Sequence, residues 1–244
     1  MEDAEYDLMD AAEERMWWYR AVHARLLAAL AARPGVAALP VLDAGCGTGG
    51  FLRRFAGDDR NTGRGAAGVD FAPRAAARAA AKSGRPVAAG DVNALPFADA
   101  AFGAAVSVDV LCHGGVDEAR ALAELRRVLA PGATLVLNLP AYEWLTSSHD
   151  VRVHNARRYT ARRAAAAVAA AGFSGVAARY WNALLLPLMI LQRKVLARRA
   201  GAASDVSDFP PLIERSFFAA TELERRLPFN PPAGGSVLVT ATRA

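Results

Sequence analysis

The sequence predicts an α/β protein built on a parallel, doubly wound sheet. Three observations carry this. Strand-like and helix-like patterns alternate between residues 38 and 140. A glycine-rich turn, "VLDAGCGTGG" (41–50), closes the first strand. The segment "AAVSVDVL" (104–111) is a near-continuous apolar run of the kind that parallel sheets bury on both faces.

The elements follow in order. Residues 5–32 have few breakers and apolar residues at helical spacing, so one helix is expected there, stopped by "RPG" at 33–35. "LPVLDAG" is the first strand, and a helix from near Thr48 to Phe55 follows the glycine turn. "GDDRNTGRG" (57–65) is a loop, "AAGVDF" the second strand, and "APRAAARAAAKSG" a helix ended by Gly84. "RPVAAGD" and "AAVSVDVL" are strands three and four, "VDEARALAELRRVLAPG" a helix, and "ATLVLNLP" strand five. The last third departs from strict alternation. Thr160 is placed to cap the helix "ARRAAAAVAAAG"; then come the strand "VAARYW", a long helical stretch, and a final strand "SVLVTATR".

Composition narrows the class. With 244 residues and 53% hydrophobic content the chain can bury a large core in one domain, here expected over 1–244. Its parts are an N-terminal helical lid (1–36), a core (37–140) and a substrate-side half (141–244). The net charge of +5 does not read as a nucleic-acid surface: the basic residues are scattered, and all but Lys82 and Lys194 are arginine. Cys46 and Cys112 have neither a CxxC partner nor metal-ligand spacing, so no metal site is expected. The acidic start "MEDAEYDLMDAAEER" lacks an apolar signal core, and "ALLLPLMIL" (183–191) is too short to span a bilayer. A cytoplasmic protein is the expectation.

The chemistry concentrates at the carboxyl ends of the strands. Gly45, Gly47, Gly49 and Gly50 let the backbone turn tightly beside a ligand, in front of a helix N-terminus. Gly45, Gly47 and Gly50 also fit G-x-G-x-x-G, a weak signal alone. Asp43, Asp70 and Asp91 end three successive strands, where such sheets bind ligands. A carboxylate at Asp70 can accept ribose hydroxyls, and one at Asp91 an adenine amino hydrogen, with Val92 against the ring.

"VLDAGCGTG", "GVDFAPRAAARA", "GDVNALPFADAAFGAAVSVDVLCH" and "ELRRVLAPGATLVLNLP" together resemble the class I S-adenosylmethionine-dependent methyltransferases of the type 11 kind. The resemblance implies a Rossmann-like, seven-stranded sheet whose last strand runs antiparallel, with an N-terminal helix and a helical insertion between strands six and seven. It implies S-adenosylmethionine as cofactor. Gly45, Cys46, Gly47 and Gly49 would lie along its methionine part and Asp43 by its amino group. Asp70 and Phe71 would serve the ribose, Asp91 and Val92 the adenine, and Asp109 the region of the sulfonium. One departure is Gly103, where related sequences usually have Asp. "EERMWWYRAVHARLL" and "AYEWLTSSHDVRVHNARRYT" resemble a bacterial subgroup, although Met16 stands where that subgroup commonly has His.

Methyl transfer needs alignment of the acceptor atom, exclusion of water and, for a hydroxyl or ammonium acceptor, a base. The candidates lie in the loops after strands four and five. His149 and His154 are candidate bases, with Asp150 available to orient a ring. His113, Arg157, Arg158, Tyr159 and Trp18 are candidate substrate contacts. The arginines can equally pair with Glu143 or Asp150, and His23 reads as a solvated helix position. The expected function is methylation of an oxygen or nitrogen atom of a small, hydrophobic metabolite. The alternatives are a peptide N-terminus or RNA as acceptor, or a non-enzymatic or membrane-peripheral module. The sequence leaves oligomeric state open.

Overall fold

The structure is a computed structural model, and it describes residues 3–192, 209–228 and 230–244. The described residues form one seven-stranded sheet in the order β3-β2-β1-β4-β5-β7-β6. The strands are β1 (Val41–Ala44), β2 (Ala66–Asp70), β3 (Val87–Ala89), β4 (Phe102–Val108), β5 (Leu129–Pro140), β6 (Phe173–Trp181) and β7 (Ser236–Arg243). β1 to β5 are mutually parallel, and β7 runs antiparallel to both β5 and β6. This is the expected doubly wound sheet with its reversed last strand. The carboxyl ends of β1 and β4 are neighbours, and chain order reverses between them, which opens a crevice there.

Helices α1 (Asp3–Ala12), α2 (Trp17–Ala32), α3 (Gly50–Ala56), α4 (Pro73–Ser83), α5 (Glu118–Val128), α6 (Ser148–Arg152), α7 (Ala161–Ala170), α8 (Leu186–Leu191) and α9 (Pro211–Arg226) flank the sheet. Strand alternation divides the core in two. Leu42, Leu135 and Leu137 face a cluster with Leu122, Leu125 and Tyr159. Val41, Val106 and Val136 face one with Leu26, Phe51, Leu52 and Phe55. Gly84 ends α4 at φ +64°, and the Thr160 hydroxyl accepts from the Arg163 N–H at 3.2 Å to start α7.

One expectation needs correction, and two further points are settled or bounded by the described residues. The single helix expected over 5–32 is two helices. The chain breaks after Ala12 because Glu13 turns inward and its carboxylate accepts from the Gly50 N–H and the Thr48 hydroxyl. Of the long helical stretch expected after β6, the described residues hold α8 and α9; most of the segment 182–199 beyond α8 lies outside the described residues. Gly103, the departure from the usual Asp, has a packing cause: a Cβ there would stand 1.9 Å from the Val36 carbonyl oxygen. The loop before β1 lies on this strand and bonds it through Val36 N–H to Gly103 O at 3.0 Å.

Candidate functional site

One cavity of about 580 Å³ lies across the carboxyl ends of β1 to β5, a volume suited to a small-molecule site. Its floor on one side is the glycine turn, which requires φ of +79° at Gly45, +53° at Gly47 and +93° at Gly49. Gly45 also has no room for a side chain, since a Cβ would meet Val110 at 2.2 Å.

Carboxylates dominate this side. Asp70 accepts from the Gly47 N–H at 2.8 Å, the Ala72 N–H at 3.0 Å and the Tyr6 hydroxyl at 3.1 Å. Asp43 is 2% exposed, lines the cavity, and has no hydrogen-bond partner among the described residues. Burial pushes the Asp43 carboxyl well above the usual range, and the charges of Asp70 and Glu13 push it further. Burial also raises Asp70 and Glu13, against their hydrogen bonds. Glu13 is paired with Lys82 and Asp70 with its three donors, so Asp43 is the desolvated acid of this side with room for a cation from the cavity.

Asp91 and Val92 line the cavity beyond Asp70, and the Asp91 carboxylate accepts from the Asn93 N–H at 2.8 Å. Phe71 is 78% exposed at the rim. Cys46 lines the wall with its thiol pushed up by burial and by Asp43, so it is unreactive. Asp109 stands at the end of β4 with φ +51°. Its carboxylate accepts from the Asn138 amide at 2.9 Å, and Asn138 in turn accepts from the Trp181 indole at 2.8 Å.

The loops after β4 and β5 are tied together. Gly114 N–H donates to His154 O at 2.9 Å, Ala156 N–H to Cys112 O at 2.8 Å, and His113 bridges Asn155. This brings His113 and His154 to the same cavity wall, with His154 exposed and at φ +57°. His149 belongs to α6, and its side chain lies outside the described residues.

Other candidates from this loop have structural roles. Asp150 orients no described histidine; it is 1% exposed and grips Arg158 through Nη2 at 2.8 Å to both oxygens and Nε at 3.1 Å. Asn155 and Ser147 donate to the remaining Asp150 lone pairs. Burial alone would raise the Asp150 carboxyl, but the Arg158 charge and these donors hold it below the usual value. Arg158 touches the cavity, yet its guanidinium is committed to Asp150 and Ala141 O, so it is not a free anion clamp. Arg157 is not one either, since it donates to Leu111 O and Val116 O. Tyr159 is a packed ring, 1% exposed, whose hydroxyl meets Leu111 O and Glu118.

Helices α1 and α2 form the roof. Trp18 lines the cavity and stacks on Trp181 at 6.4 Å. Trp17, Tyr19, Met9 and Met16 also line it. His23 is corrected most: it is 4% exposed and faces the cavity rather than solvent. Burial and the Arg54 charge depress its pKa to about 3. Helical spacing put His23 on the face of Tyr19, but nothing local showed which face was covered. The far wall is apolar, from Leu185, Leu188 and Met189 of the α8 region and Phe217 of α9. Among the described residues no group of three or more His, Cys, Asp or Glu is placed to hold a metal. No described helix is long and apolar enough to cross a membrane.

Comparison with known proteins agrees with this geometry. Residues 42–137 match the family described as a methyltransferase domain. An O-methyltransferase of Penicillium expansum is 35% identical over 106 residues, 40% of this chain and 36% of that protein. A 24-methylenesterol C-methyltransferase of rice (Oryza sativa subsp. japonica) is 32% identical over 126 residues, 49% of this chain and 32% of that protein. The chain thus spans about a third of the length of these relatives. A solved structure from Thermotoga maritima, a possible histamine N-methyltransferase that is S-adenosylmethionine-dependent, superimposes with a TM-score of 0.62 at 18% identity. That match covers 99% of this chain and 96% of the other and concerns the fold.

Proposed function

We propose that this chain is a class I S-adenosylmethionine-dependent methyltransferase, a reading supported by the methyltransferase-domain match over residues 42–137, and that it transfers the cofactor's methyl group to an oxygen or nitrogen of a small, hydrophobic molecule. The observation that carries it is Asp43, a buried and unpartnered carboxylate beside a glycine turn, in a cavity whose other half is apolar.

The residues present fit the cofactor. Asp43 faces a position for an ammonium, Asp70 keeps lone-pair capacity for ribose hydroxyls, and Asp91 with Val92 serves a purine. When bound, S-adenosylmethionine supplies a methyl group on a sulfonium, already activated toward a nucleophile. The chain's task is to hold the acceptor in line and keep water out. Leu185, Leu188, Met189 and Phe217 form an apolar wall for the acceptor's body. His113 and His154 line the cavity and are the residues to which this reading assigns the proton leaving the acceptor oxygen or nitrogen. Asp109, held by Asn138, fixes the polar rim between the two halves.

The test is calorimetric titration of S-adenosylmethionine into the wild-type chain and Asp70→Ala. Binding that falls by about a hundredfold or more in the variant supports the assignment, as expected when hydrogen bonds to a charged partner are lost. Wild-type affinity in Asp70→Ala removes it.

A further inference from the structure

We propose that His23 is a binding residue for the amino-acid end of the cofactor, hydrogen-bonding through its ring to that end and not to the nucleoside. The proposal rests on the cofactor assignment above. His23 is 4% exposed and lines the cavity, and its Nδ1 is buried with no hydrogen-bond partner among the described residues. An imidazole in that position leaves a polar ring unsatisfied until something enters the cavity.

Its place in the fold selects the part of the ligand. Asp91 and Asp70 stand at the ends of β3 and β2, on one flank of β1. The nucleoside belongs over that flank, so the remaining end of an elongated ligand lies over β1 and beyond. Helix α2 crosses there, packing on β5, α3 and α9. The His23 ring sits 5.9 Å from Phe51, in the first turn of α3, just after the glycine turn, and 6.3 Å from Tyr19. Glu13, Gly47 and Phe51 share its stretch of wall. Because burial keeps the imidazole uncharged down to about pH 3 in the free protein, it offers one donor and one acceptor without adding charge to the acid cluster.

The experiment compares two ligands. S-adenosylhomocysteine carries the amino-acid end, and 5′-methylthioadenosine lacks it. Both are titrated calorimetrically into wild type, His23→Phe and His23→Asn at pH 7.5. The readout is the ratio of the two affinities, which a misfolded fraction does not change. His23→Phe is expected to lower the S-adenosylhomocysteine affinity about tenfold relative to 5′-methylthioadenosine, the loss of one hydrogen bond to a charged group. His23→Asn, which keeps a donor and an acceptor, is expected to recover part of the ratio, and it carries the comparison if the Phe variant does not fold. An unchanged ratio in both variants overturns the proposal. Wild-type protein that binds neither ligand overturns the cofactor assignment instead.

Discussion

The Tyr6 hydroxyl donates to the Asp70 carboxylate at 3.1 Å, joining α1 to the end of β2 across 64 residues of sequence. It shares Oδ1 with the Ala72 N–H, while the Gly47 N–H holds Oδ2. Three of roughly four lone-pair sites on the carboxylate are therefore used. Ion pairs keep α1 in place, Asp7 with Arg74 and Arg78 and Asp10 with Lys82, and Lys82 also pairs with the buried Glu13 just after the helix.

On the proposed assignment, Tyr6 and a ribose compete for Asp70. Tyr6→Phe frees Oδ1 and is expected to tighten cofactor binding by about threefold to tenfold, the scale of one hydrogen bond. Calorimetry at fixed salt measures this. Equal or weaker binding in the variant would show that the hydroxyl does not compete.

On the proposed assignment, Asp43 trades stability for binding. Its carboxylate is desolvated beside Asp70 and Glu13, so Asp43→Asn should raise the melting temperature of the ligand-free protein while abolishing cofactor binding. The pH dependence has a definite sign. All three acids have folded pKa values above their unfolded ones, so the ligand-free protein binds more protons than the unfolded chain. Their contribution to stability is present below the unfolded pKa and is lost as pH rises through the raised values. Melting temperature should therefore climb as the pH is lowered from neutral toward about 5, and climb less in Asp43→Asn. A flat profile in the wild type refutes this.

Asp150 has the opposite sign. Its folded pKa is depressed, so its contribution is present above the unfolded value of about 3.9 and is lost as pH falls below it. Asp150→Ala leaves Arg158 charged and buried, at a cost of about 3–5 kcal/mol. Urea denaturation of the variant reads this directly. A variant as stable as wild type but inactive would return Asp150 to a catalytic role.

His113 and His154 are distinguished by kinetics. If one is the base, its Ala variant should lose about 10²–10⁴-fold in kcat with the cofactor Kd unchanged. If both variants turn over normally on an oxygen or nitrogen acceptor, the loops position the substrate without accepting its proton.

Local pattern was enough to bring out the glycine turn and the acids at the strand ends that line the cavity. The glycines need positive φ at fixed offsets, and strand-end acids are placed by the strands themselves, so Asp43, Asp70 and Asp91 could be read before any fold was known. The sequence also carried the reversed seventh strand, through the resemblance and the position of "SVLVTATR".

Side-chain direction in the loop 147–160 was decided only by tertiary contact. Asp150, Arg157 and Arg158 looked equally able to serve a ligand or one another. Folding stacks the loop on Cys112 and Ala141, where burial makes an unpaired charge too costly, and the charges are satisfied within the protein. The same applies to the N-terminal segment. Glu13 breaks the helix because Gly50 and Thr48, 37 and 35 residues away, need its carboxylate. His23 is buried because α3 and Tyr19 enclose it. Periodicity reports which residues share a helix face, but which face is covered depends on partners distant in the chain, and only the assembled fold brings those together.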